Sequence, residues 1–175
     1  MRSVLAIVTM ALMVVACAAE GEPQLEADLL ALRSEVTRAL HALDTSIKNE
    51  TFESLGESVS RLEAATNALG EIESREDIED GTRAQAALFQ ARAWDDLART
   101  LVSPRSSGDA EEASWALGAS LRQKALPARV AALAAYERTR ALLCQFELRD
   151  DPAMIESLDG IARYGGRASV EAPCD

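Results

Sequence analysis

An all-α fold, a helical bundle of five or six helices arranged as antiparallel hairpins, is predicted by three properties of the chain. Ala, Leu, Arg and Glu dominate its composition, and all four are good helix formers. Apolar residues recur at steps of three and four, which marks one face of a helix. No alternating apolar–polar pattern lasts five residues, so strands are not expected.

The first predicted helix covers about residues 25–48. Its stripe is Leu25, Leu29, Leu32, Val36, Leu40, Leu43 and Ile47. These steps average slightly more than the 3.5 of a coiled coil and fit a straight helix packed in a globule. His41 falls on the flank of the stripe, where a partly exposed polar residue is expected rather than a ligand. A break follows at residues 49–51, with Thr51 placed as an N-cap. The second helix, about 52–74, carries Phe52, Leu55, Val59, Leu62, Leu69 and Ile72, with Ala65 and Thr66 between. Two long amphipathic helices joined by a short turn form an antiparallel hairpin.

The linker "SREDIEDGT" holds four acids, Glu76, Asp77, Glu79 and Asp80. A calcium loop needs an oxygen ligand one, three and five places before its glycine. The middle place before Gly81 is Ile78, so that reading fails. Acids ahead of a helix are favoured by its dipole instead. The third helix, about 83–102, puts Ala84, Ala87, Leu88, Ala91, Trp94, Leu97, Ala98 and Leu101 on one face. Pro104 stops it.

Asp109 with Glu112 reads as a capping box for a fourth helix containing Trp115, Leu117 and Leu121. Pro127 interrupts helical sequence, so a kink there, or a break opening a fifth helix, is expected. Val130, Leu133, Tyr136, Leu143 and Phe146 continue to about residue 148. Asp151-Pro152 is a strong helix start, and the last helix, 152–164, presents Ile155, Leu158, Ile161 and Ala162 before Gly165-Gly166 ends it. The tail is 165–175.

The amino terminus has a different character. Residues 4–19 are apolar or small apart from Thr9, too short a run for a bilayer core, which takes about 20 residues. Arg2 precedes the run, and Ala16, Ala18 and Ala19 close it, the layout of a secretory signal. Val14-Val15-Ala16-Cys17 resembles the lipobox of bacterial lipoproteins. That resemblance implies a signal peptide of residues 1–16 and acylation of Cys17; residues 17–24, small and polar with Gly21 and Pro23, then read as a tether, and residues 25–164 as the helical domain. An ordinary signal cut near Ala19 is the alternative. Several acyl chains, at about 0.8 kcal/mol per buried CH₂, anchor a protein stably. In that family the residue after the cysteine influences sorting, and Ala18 leans towards the outer membrane, facing the periplasm.

With Cys17 acylated, two thiols remain, Cys144 and Cys174. In an oxidising compartment they are expected to form a disulfide, pinning the tail; two unpaired thiols are the alternative. The chain has 18 Lys and Arg against 29 Asp and Glu, net −11; removal of Arg2 with the signal leaves 17 against 29, net −12. That charge argues against nucleic acid as a partner.

The segment "ALAAYER", with Ala132 and Tyr136 four apart, resembles the second helix of a tetratricopeptide repeat, whose next small position is held here by Thr139. The likeness covers one helix, and no 34-residue period is visible. It implies helix pairs whose concave face binds peptides or proteins, with Trp94 and Trp115 as groove aromatics; core filling is the other reading of both tryptophans. A single histidine leaves no His-rich metal site and no Ser-His-Asp set. Phosphate loops and nucleophile elbows are absent from the sequence. Asp95-Asp96 and Glu111-Glu112 are adjacent pairs, which diverge by about 100° on a helix. The expectation is therefore a non-enzymatic protein without metal or cofactor, a membrane-anchored adaptor or assembly factor for an envelope protein partner. The alternatives are a lipid-anchored protein holding a small apolar ligand in a closed cavity lined by Trp94, Trp115 and Phe89, and a structural envelope lipoprotein without a client.

Overall fold

The computed structural model describes residues 2–49, 52–75, 77–102, 111–167 and 173–174. Side chains are described for residues 24–49, 55–75, 77–102, 119, 121–167 and 173–174. The fold is all-helical, with five helices among the described residues: α1 (Arg2–Lys48), α2 (Phe52–Glu73), α3 (Asp80–Val102), α4 (Glu111–Gln145) and α5 (Pro152–Arg163). Among those residues, no helix is long and apolar enough to cross a membrane.

The periodic stripes become the core. Leu25, Leu29, Val36, Leu43 and Ile47 of α1 are buried against Leu55, Val59, Leu62, Leu69 and Ile72 of α2, and Leu32 and Leu40 pack on the margin. The same cluster takes in Ala86, Ala93, Leu97, Ala98 and Leu101 of α3 and Leu121, Ala125 and Ala128 of α4. A second cluster joins α3, α4 and α5 through Leu88, Ala91, Ala135, Tyr136 and Ile161. A third comprises Ala84, Leu143, Met154 and Leu158.

α3 is the central helix. It packs on α1, α2, α4 and α5, whereas the α2 and α4 backbones do not approach each other among the described residues. α1, α3 and α5 thus form one row of contacting helices, with α2 and α4 each packed on α3. Burial of α3 extends beyond the expected single face: Ala86, Gln90, Ala93 and Asp95 are also buried. Alanine makes this feasible, since small side chains let neighbouring helices approach from several sides.

Pro127 does not open a new helix; α4 runs continuously through it. The proline and Gln123, whose carbonyl loses its partner, are both exposed, so water can satisfy the freed oxygen. The acids before α3 behave as dipole logic requires, with Asp80 in its first turn. α5 starts as expected: the Asp151 side chain accepts from the Ala153 amide at 2.8 Å, with Pro152 leading the helix. It ends in a Schellman arrangement, Gly165 N–H donating to Ala162 and Gly166 N–H to Ile161. Gly165 has φ +81°, a conformation that favours glycine. Thr51, Pro104 and Asp109, expected at helix ends, lie outside the described residues.

Cys144 and Cys174 are disulfide-bonded, with Cα atoms 5.6 Å apart. Both pack against the third cluster, so the bridge ties the tail to the end of α4 and encloses α5 within the covalent loop.

Candidate functional site

The amphipathic spacing of α1 and α3 leaves a cleft where the two helices meet. Arg33, Val36, Thr37 and Leu40 line it from α1, and Phe89, Arg92, Ala93 and Asp96 from α3. Each set has the i, i+3, i+4, i+7 spacing of one helical face. Leu69 of α2 lies at the floor, and the cleft encloses about 200 Å³.

Phe89 is half-buried and carries two guanidinium groups over its ring: Arg33 at 5.2 Å from the centroid and Arg92 at 5.7 Å. Aromatic rings attract cations at this range through their quadrupole. Arg92 also makes a bidentate pair with Glu156 of α5, Nε donating to Oε1 at 2.5 Å and Nη2 to Oε2. Hydrogen bonding from Arg92 holds the Glu156 carboxyl below the ordinary carboxylate range. Asp96 is engaged by Arg99 at 2.5 Å. Arg33 is exposed and, among the described residues, has no carboxylate within ion-pair distance.

Behind the cleft, one residue back along α3, Asp95 points into the junction of α3, α4 and α5 and is 2% exposed. Its carboxylate accepts from the Tyr136 hydroxyl at 3.3 Å, from the Tyr164 hydroxyl and from Arg163 Nη1. Arg99 Nη2 lies 3.4 Å away. Four donors from α3, α4, α5 and the α5 cap satisfy a charge that would be prohibitively costly alone. Burial, followed by the Asp95 charge, pushes the Tyr136 phenol up to about 12; burial and the hydrogen bond to Asp95 raise Tyr164 as well. The network holds α5 in place, and α5 in turn presents Glu156 to Arg92. Its donors and acceptor are committed to one another, so it positions helices and offers no free nucleophile or base.

The sequence-predicted residues separate. Trp94 is half-buried and packs against the first and second clusters. It is about 140° around α3 from Phe89 and is not part of the Phe89 cleft lining. The side chains of Trp115 and Cys17 lie outside the described residues. His41 is exposed and borders a second, open cleft of about 550 Å³ with Thr45, Asn49, Glu57 and Arg61. Ala132, Tyr136 and Thr139, the residues of the tetratricopeptide likeness, are all buried. Among the described residues, no three His, Cys, Asp or Glu side chains are grouped to hold a metal ion.

Sequence reasoning missed the Asp95 junction and the Arg33–Phe89–Arg92 set. A signal for the first existed: Asp95 lies between Ala91 and Ala98 on a face otherwise read as buried, and a charge there demands partners. Compared with known proteins, the chain matches no family model, no curated protein and no solved structure.

Proposed function

We propose that this chain is a bacterial lipoprotein, acylated at Cys17, that serves as a protein-binding adaptor at the envelope, on the periplasmic face of the outer membrane. The lipobox-like Val14-Val15-Ala16-Cys17 supports the anchor, and a disulfide between Cys144 and Cys174 accords with an oxidising compartment. The binding face is the row of α1, α3 and α5, with the cleft at Phe89 as its centre. One observation carries this reading: a half-buried aromatic with two arginines over it, set between two helices. Aromatic and Arg side chains are enriched at protein interfaces and supply much of their binding energy. The charged lining also favours a protein partner over a small apolar ligand. We read the role as non-enzymatic; the Asp95 carboxylate behind the cleft is engaged by Tyr136, Arg163 and Tyr164.

Photo-crosslinking in cells tests this. A crosslinkable residue at Thr37, which lines the cleft, should give a discrete protein adduct. The same residue at Lys124, exposed on α4, should give none. Failure to obtain any adduct from Thr37 would remove the adaptor reading.

A further inference from the structure

The two guanidiniums at Phe89 differ in one respect. Arg92 has its carboxylate, supplied within the chain by Glu156. Arg33 is held over the same ring, lies at the mouth of the cleft and has no such partner among the described residues. An arginine stacked on an aromatic is pre-oriented with its N–H edge available, and a carboxylate meets that edge with two parallel hydrogen bonds. Five apolar residues, Val36, Leu40, Leu69, Phe89 and Ala93, line the cleft with Arg33, together with Thr37, Arg92 and Asp96. Leu30, one turn earlier on α1, is 57% exposed and extends the apolar rim.

Resting on the adaptor reading, we infer that the cleft binds a partner segment bearing one acidic side chain flanked by an apolar one, the carboxylate on Arg33 and the apolar group against Leu40 and Phe89. The acid repeats for Arg33 what Glu156 does for Arg92. Asp96 lines the same cleft, but Arg99 already engages its carboxylate. The net charge of −11 disfavours a polyacidic partner, so a single acid among apolar neighbours fits best. The volume of about 200 Å³ accommodates about one side chain of that kind, not a folded element.

The probes are acetyl-Leu-Glu-Leu-amide and its Gln counterpart, titrated into the full chain labelled at arginine and followed by NMR. The Glu peptide should shift the Arg33 Nε–H resonance saturably, and the Gln peptide should bind about tenfold more weakly or less, as loss of a charge-assisted hydrogen bond requires. Arg33→Gln should abolish the preference, and Arg33→Lys should retain part of it. Since Arg33 is exposed, an unchanged melting temperature should accompany both variants. Equal binding of the two peptides, no saturable shift, or an Arg33→Gln variant that keeps the preference would overturn the inference. If the Thr37 adduct still formed in cells, the adaptor reading would survive that result; if it too were absent, both would fall.

Discussion

Tyr136 on α4 donates its hydroxyl across 3.3 Å to Asp95 on α3, and that buried bond is the centre of a junction completed by Arg163 and Tyr164 at the end of α5. Asp95 should therefore be the least replaceable polar residue of the domain. Asp95→Asn keeps the shape and removes the charge, leaving Arg163 without its counter-ion while Arg99 keeps Asp96. Uncompensated buried pairs cost up to about 5 kcal/mol, but both arginines are partly solvated, so a loss of about 2–3 kcal/mol is expected. Urea denaturation followed by circular dichroism measures it; a loss below about 0.5 kcal/mol would contradict the arrangement.

The same junction sets an alkaline limit. Tyr136 and Tyr164 are the chain's two tyrosines, and both are raised above the ordinary phenol value of about 10. A raised folded-state value means the contribution is complete below the unfolded value and is lost as pH rises through the folded one. Stability should thus be flat in this respect up to about pH 10 and fall as pH approaches the Tyr136 value of about 12. Phenolate absorbance should appear together with loss of helical signal. Ordinary titration of both tyrosines near pH 10 with the helices intact would refute the burial of their hydroxyls.

Two glycines should respond in opposite directions to alanine. At Gly160 an added Cβ would overlap the Tyr136 ring, a rigid group already fixed to Asp95. Gly160→Ala should cost about 1–2 kcal/mol, overpacking outweighing the helix propensity gained. Gly56 has nothing within 4 Å of an added Cβ and is exposed in α2. Gly56→Ala should stabilise by up to about 1 kcal/mol. Thermal melts of the two variants against the parent decide both.

Reducing the Cys144–Cys174 bridge frees a loop with a sequence separation of 30 that contains α5. By loop-closure entropy it should lower stability by about 3–4 kcal/mol. Because α5 also carries Arg163 to Asp95, Cys144→Ser and Asp95→Asn should combine less than additively. A double-mutant cycle gives the coupling directly, and strict additivity would separate the two features.

The elements most legible in the sequence are those governed by local spacing. The stripes of α1 and α2 became the core nearly residue for residue, and Asp151-Pro152 opened α5 where expected. The Asp95–Asp96 pair diverges as helix geometry requires, Asp95 inward and Asp96 into the cleft. What the sequence did not reveal depends on distance along the chain. Asp95 meets Tyr136, Arg163 and Tyr164 at separations of 41 to 69 residues, and such pairings leave no periodic trace. The all-round burial of α3 was hidden for a related reason: alanine reads as helical in any environment. The Arg33–Phe89–Arg92 set needed α1 and α3 to be neighbours, which only the stacking order of the helices supplies.

The central claim concerns Cys17, since the adaptor reading needs the bundle held at a membrane surface. Mass spectrometry of the amino terminus of the protein purified from its native membranes tests it most directly. A chain beginning at Cys17 and carrying the mass of its acyl groups is the expected result. An unmodified terminus that begins downstream of residue 17 would contradict it.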